Sequence, residues 1–263
     1  IVTRGWELSF LDQVGNQSTT DLLELGAKPY DKAVDLAAAS DVLVLCVTGS
    51  PQVEDVLTGS GAVLDGLRPG SIVIDCSTAI PSSTRALAAK AAMTRTPKDA
   101  EEGRLNLLVG GKEESITRIR SLLESFAENI FIAGDVGSGH QLKLIHNIIS
   151  MGTIALIAEV AACAIQDGMD TTAMVDCLRK GGAGGAALER VAPYILEGNA
   201  DLLRFTINNA YKDVGYYNTM AEEMDAARLM SKAAYDTLAG QIDQGKGSAF
   251  MPELVKLLQS PSQ

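Results

Sequence analysis

The sequence has little of what several large functional classes require. It holds only two histidines, His140 and His146, and four cysteines, Cys46, Cys76, Cys163 and Cys177, with no CxxC pair among them. A His-rich metal site is therefore not expected. The thiols lie far apart in apolar settings and read as buried free cysteines, which places the chain in a reducing cytoplasm. Basic residues are outnumbered, 22 against 33 acidic, for a formal net charge of −11. That balance repels nucleic acid and anionic lipid at long range and leaves a small molecule as the expected partner. Long apolar runs are short of bilayer length: the most apolar stretch, Ile148 to Ile165, is broken by Ser150, Gly152, Thr153 and Glu159. A buried helix is expected there rather than a membrane span. The opening residues carry no signal-peptide pattern.

What is present describes a globular chain. At 263 residues, 46% hydrophobic and 21% charged, it can bury the cores of two domains. Up to about Gly134, β-branched runs at 7–11, 41–48, 71–78, 105–109 and 129–133 alternate with helical patterns at 19–25, 32–39, 51–58, 81–92 and 113–128. Such alternation predicts a parallel sheet covered by helices, and the nearly continuous apolar runs predict strands buried on both faces. After Gly139 the strand signal stops. Apolar residues recur at helical spacing over 140–166, much longer than an average helix, with further helices expected at 173–180, 185–194, 208–223, 226–241 and 252–258. The glycine-rich run 181–185 follows no strand and reads as a connection between helices, not a phosphate loop. The boundary is set at 135–139, giving an α/β Rossmann-type domain over 1–134 and an all-α domain over 135–263, with a long helix between them.

Three segments stand out, in order. The first is Val42 to Thr48 followed by Ile72 to Thr78. The second, Gly137-Ser138-Gly139-His140-Gln141-Leu142-Lys143 continuing to Asn147, has the pattern Gly-x-Gly-x-x-x-Lys-x-x-x-Asn and is the specific one. The third is Lys212-Asp213. Together with the strand ending at Gly110-Gly111, they resemble the β-hydroxyacid dehydrogenase family, to which 3-hydroxyisobutyrate and tartronate semialdehyde enzymes belong, and the likeness covers nearly the whole chain.

The chemistry of these residues has its own logic. Oxidising a hydroxy acid needs a group that takes the alcohol proton while hydride leaves the same carbon, and a lysine serves when burial or a neighbouring cation disfavours its ammonium form. Without the motif, Lys143 would read as a solvated lysine on a helix flank. On a helix, Lys143 and Asn147 share a face; Asn147 is then available to hold substrate or the lysine head. His140, at the helix start, is expected near the cleft. By resemblance Lys212 closes over nicotinamide and substrate, and Asp213 braces the site. A bland reading of these two is a surface pair.

Thr94 stands where many members carry a serine before two glycines that bind the substrate carboxylate; Arg95 and Thr96 replace those glycines, and Arg95 is a candidate partner for an anionic substrate. Val47, Thr48, Ser77 and Thr78 end their strands, where open α/β sheets receive ligands. Asp12 follows a strand at the place where an acid binds ribose hydroxyls and repels a 2′-phosphate, favouring NAD over NADP.

The family begins with a strand and Gly-x-Gly-x-x-Gly, whereas this chain opens at Ile1-Val2-Thr3-Arg4-Gly5-Trp6, like the end of the helix after that loop. A second omission, with a break in the chain, is expected between Ala92 and Met93. Near the end, Phe250 and Met251 follow Gly245-Lys246-Gly247 where the family often places an aspartate. The resemblance implies hydride transfer between a nicotinamide cofactor and a short β-hydroxy acid in a homodimer or homotetramer. The alternatives are an imine or oxo-acid reductase on the same scaffold, or a noncatalytic nucleotide-sensing homologue.

Overall fold

The computed structural model describes residues 1–11, 18–87, 90–94 (backbone alone) and 104–259. The chain divides into two units, Ile1–Lys143 and Leu144–Gln263. In the first, β1 (Ser9–Phe10) pairs in parallel with β2 (Lys28–Pro29) across α1 (Thr20–Glu24). Next come α2 (Ala33–Ala38), β3 (Val42–Leu45), α3 (Ser50–Thr58), α4 (Val63–Gly66) and β4 (Ile72–Asp75). Strands β3 and β4 run parallel, from Val42 opposite Ile72 to Leu45 opposite Asp75. Helix α5 (Pro81–Leu87), β5 (Lys90–Thr94), β6 (Leu105–Gly110), α6 (Glu113–Glu124) and β7 (Ala127–Gly134) complete the α/β pattern.

Two expectations are corrected at β5. The helix expected over 81–92 is described over Pro81–Leu87, and Lys90–Thr94 forms a strand antiparallel to β6 instead, with Ala92 opposite Leu108 and Met93 opposite Leu107. The alanine-rich run has high helix propensity, but pairing with β6 outweighs a preference worth only tenths of a kcal/mol per residue, about 0–0.7. Ala92 and Met93 are consecutive residues of that strand, so the expected break between them does not exist. Strand β6 then pairs in parallel with β7.

The core of this unit follows from spacing. On α6, Ile116, Ile119, Leu122 and Leu123 fall on one face and are buried against Ile72, Ile74, Leu105, Leu107 and Val109. A second cluster joins Leu43 and Leu45 to Leu36, Val53, Leu57 and Val63. Each such side chain contributes about 1.5–3 kcal/mol on burial. Among the described residues β6 and β4 are buried nearly throughout. Val44 on β3 and Phe131 and Ile132 on β7 are 42%, 49% and 52% exposed, so continuous apolar sequence does not mean burial on both faces here. Among the described residues, strand β7 is hydrogen-bonded to β6 alone, which makes it an edge strand there.

Helix α7 (Ser138–Gln166) runs for 29 residues from the first unit into the second. Among the described residues it is the segment long and apolar enough, by length and composition, to cross a membrane, with a hydropathy of 2.1 over its most apolar window. The interrupting Ser150, Gly152, Thr153 and Glu159 thus do not shorten it below bilayer length, contrary to the sequence reading. Met151, Ile154, Ala155, Ala158 and Ala161 nevertheless form one buried face within the core of the second unit. Around them lie α8 (Thr171–Lys180), α9 (Ala186–Glu197), α10 (Ile207–Glu223), α11 (Leu229–Asp243) and α12 (Leu254–Leu257). Asp170 caps α8 by accepting from the Thr172 and Ala173 amides, and Thr206 caps α10 through Asn209 N–H. The second cap fixes the start of the helix that carries Lys212 and Asp213.

Candidate active site

The glycines of the motif have a packing role. A Cβ on Gly139 would sit 2.3 Å from the Leu108 carbonyl oxygen and one on Gly110 would sit 2.6 Å from the Gly139 nitrogen, so α7 begins in backbone contact with β6. Gly137 adopts φ +91°, a left-handed conformation costly for other residues. This approach sets the first turn of α7 and with it the direction in which Lys143, one turn on, leaves the helix. Lys143 is half-buried.

In the second unit three residues of the motifs meet. Asn147, 5% exposed, donates from Nδ2 to Asp213 Oδ2 at 2.7 Å, although the two lie 66 positions apart. Lys212 Nζ lies 3.1 Å from Asp213 Oδ1 and 5.6 Å over the Tyr216 ring. Asp213 is 3% exposed, so the reading of Lys212 and Asp213 as a surface pair does not describe it. Lys212 lines a cleft of about 970 Å³ together with Tyr211, Tyr216, Asn218, Arg228 and Tyr235. Tyr211 and Tyr235 stack with centroids 4.3 Å apart, and the Tyr235 hydroxyl donates to that of Tyr211. That hydrogen bond, more than burial, pushes Tyr235 up to about 12. The tyrosine pair escaped sequence reasoning because no motif links residues 24 positions apart.

In the first unit, the Val47 amide donates to Ser77 Oγ at 2.9 Å, and the Ser77 amide donates to Asp75 Oδ1 at 2.9 Å. Thr48 is exposed and Thr78 half-buried. These four residues follow the carboxyl ends of the paired parallel strands β3 and β4, the position at which open α/β sheets receive ligands. Asp75 was not singled out from the sequence, though an acid closing the run Ile72-Val73-Ile74 was its signal. It is fully buried, as is His140. His140 Nδ1 is 2.9 Å from Thr84 Oγ1, and its Nε2 is 3.9 Å from Asp75 Oδ2. The expectation that His140 borders a cleft is corrected: with no solvent exposure it ties the start of α7 to α5 and β4. Burial pushes the Cys76 thiol far above its ordinary value, with Cys46 and Asp75 adding to the effect; Cys46 is raised by burial and then by Asp75. Cys46, Cys163 and Cys177 are free cysteines on exposed residues, whereas Cys76 is buried, so the expectation of buried thiols holds for Cys76 and not for the other three.

Thr94 ends β5 opposite Asn106. Asp12 and Arg95 lie outside the described residues.

Comparison with known proteins gives this arrangement a lineage. Residues 1–134 match the family model described as the NAD binding domain of 6-phosphogluconate dehydrogenase. Residues 137–258 match the model described as NAD-binding of NADP-dependent 3-hydroxyisobutyrate dehydrogenase. An uncharacterised oxidoreductase of Bacillus subtilis is 28% identical over 90% of this chain and 87% of its own length. The NAD-dependent L-serine dehydrogenase of Pseudomonas aeruginosa is 28% identical over 93% of this chain and 87% of its own length. The solved 3-hydroxyisobutyrate dehydrogenase of Mycobacterium tuberculosis superposes with a TM-score of 0.86 at 21% identity, covering 98% of this chain and 93% of that one, and so shares its fold. The chain belongs to the β-hydroxyacid dehydrogenase family of NAD(P)-dependent oxidoreductases.

Proposed function

We propose that this chain transfers hydride between NAD and a short β-hydroxy acid of the 3-hydroxyisobutyrate type. The observation that carries the reading is the buried bond from Asn147 to Asp213, with Lys212 beside it, which joins the second and third motif segments at one place. Residues 1–134 hold the dinucleotide, with Val47, Thr48, Ser77 and Thr78 along its strand-end edge, Asp12 on the ribose, and Lys212 and Asp213 toward the nicotinamide. Residues 135–263 supply the substrate side and the assembly surface. When bound, the nicotinamide accepts or returns the hydride.

The chain's own residues do the rest. Lys143 takes the proton from the alcohol oxygen in oxidation and returns it in reduction. Asn147 donates an amide hydrogen to the substrate, and Thr94 and Arg95 receive its carboxylate. The acid at Asp12 disfavours a 2′-phosphate and supports NAD over NADP. Assembly as a homodimer or homotetramer is supported by Ile145, Ile149, Leu156 and Val160, which are 37%, 65%, 57% and 48% exposed along α7. The acidic balance and free thiols support a cytoplasmic enzyme working on small molecules, apart from nucleic acid and membrane.

The test is an assay of the purified protein in both directions across a panel of hydroxy acids, with NAD and NADP compared. Turnover should favour NAD, and Lys143→Ala should lower kcat by about 10²–10⁴-fold, the usual worth of general acid–base catalysis. Lys143→Arg should fail nearly as badly, because guanidinium stays protonated. Turnover of Lys143→Ala within a few-fold of wild type would show that Lys143 is not the proton acceptor.

A further inference from the structure

We propose that His146 is a positioning residue that fixes the orientation of the Asn147 carboxamide, a role that rests on the reading of Asn147 as a substrate contact. His146 occupies an unspecified position of the motif, between Lys143 and Asn147. Its Nδ1 lies 3.1 Å from Asn147 Oδ1. The polarity of this contact follows from the other end of the amide. Asp213 is a buried carboxylate that only accepts, so the atom 2.7 Å from it is the Asn147 nitrogen. The oxygen end therefore faces His146, and an oxygen cannot donate. His146 Nδ1 must carry the proton, whether the ring is neutral or cationic, and in the neutral ring Nε2 is left as the acceptor.

The result is a directed chain: His146 Nδ1–H donates to Asn147 Oδ1, Asn147 Nδ2–H donates to Asp213 Oδ2, and Lys212 holds the other carboxylate oxygen. With both ends of the amide engaged, the second Nδ2–H keeps one direction and is the hydrogen left for substrate. His146 itself is exposed and belongs to none of the core clusters. Its loss removes a donor from a buried carbonyl oxygen without opening the core.

Two measurements test this. Nitrogen-detected NMR of the whole protein above the imidazole titration should find His146 in the Nδ1–H tautomer, and the Asn147 side-chain amide signals should shift in His146→Ala. Kinetically, His146→Asn keeps a donor nitrogen near the Nδ1 position, whereas His146→Asp puts an acceptor there. His146→Asn should stay near wild type, His146→Ala should lose about tenfold in kcat/KM, and His146→Asp should lose more. The loss should appear mainly in the KM of the hydroxy acid, with cofactor Kd unchanged. An Nε2–H tautomer, or equal losses in His146→Asn and His146→Asp, overturns the proposal. The NMR arm needs no turnover, so an Nδ1–H tautomer in a protein inactive on every hydroxy acid upholds the hydrogen bond and overturns the reaction it was assigned to serve.

Discussion

Asp75 in the first unit and Asp213 in the second are both almost wholly withdrawn from solvent, at 0% and 3% exposure, yet their surroundings differ in kind. Around Asp75 lie the buried Ser77 amide, the buried His140 and, beyond it, the buried Thr84, with the charge also felt by the thiol of the exposed Cys46. Around Asp213 burial falls off step by step, from Asn147 to Lys212, which is a quarter exposed, and then to the exposed His146. A charge sealed among buried partners cannot meet a ligand and serves to hold elements together. A charge whose partners lead outward can organise groups that do meet one. If the proposed function holds, the same residue type divides into a structural acid and a functional one, and the division is open to experiment.

The largest effect should come from breaking the sealed cluster. His140→Ala empties a fully buried site between Asp75 and Thr84, and large-to-small changes of this kind cost about 2–5 kcal/mol in comparable cores. Urea unfolding should show this as a lower midpoint with an unchanged slope, while the fraction that remains folded keeps its turnover. If stability is kept and turnover is lost instead, Asp75 and His140 belong with the functional acid and the contrast fails. The opposite pattern is expected from Asp213→Asn. This isosteric change replaces a charge-assisted hydrogen bond worth about 1.5–3 kcal/mol, so kcat/KM should drop roughly 10–100-fold. Its stability loss should be smaller than that of His140→Ala.

How much of this was legible beforehand can be judged residue by residue. The strands β3, β4 and β6 and the helical second half follow from hydrophobic periodicity, which reports local burial directly. Strand β5 was not legible, because Ala88 to Ala92 favours helix locally and only the distant partner β6 makes it a strand. Lys143, Asn147, Lys212 and Asp213 were singled out because short motifs around them resemble those of the family. Asp75, Tyr235 and His146 were not. Their significance depends on contacts with His140, with Tyr211, and with the carboxamide of Asn147, and none of these contacts except the last is local in sequence. The role of Gly139 lay between the two cases: the motif marked it, while the reason, a helix start lying against the Leu108 carbonyl, needed three dimensions. Gly139→Ala should accordingly cost about 1–3 kcal/mol from forced displacement of backbone. The seal around the neighbouring His140 should loosen with it, measured as faster hydrogen exchange in the first turn of α7.

The smallest effect sharpens the comparison through pH. Asp75 shares its sealed space with Cys76, whose thiol is raised by burial first, then by Cys46 and Asp75. In the unfolded chain that thiol ionises near 9.0, while in the folded chain it stays protonated well above this. Between the two values the unfolded state binds fewer protons than the native state. Stability is therefore intact below pH 9 and falls as pH rises beyond it, by at most about 1.4 kcal/mol per pH unit for one group. By pH 10 the loss from Cys76 should be about 1.4 kcal/mol. Other groups also titrate in this range, so the informative quantity is the difference between wild type and Cys76→Ala in unfolding free energy from pH 7.5 to 10. The variant should show a flatter decline, whatever its starting stability. Asp213 has no thiol among its partners, and replacing it by Asn should leave the alkaline decline as steep as in wild type. Equal slopes in wild type and Cys76→Ala would mean that the space around Asp75 admits water, and the distinction between a sealed acid and an open one would then rest on the activity measurements alone.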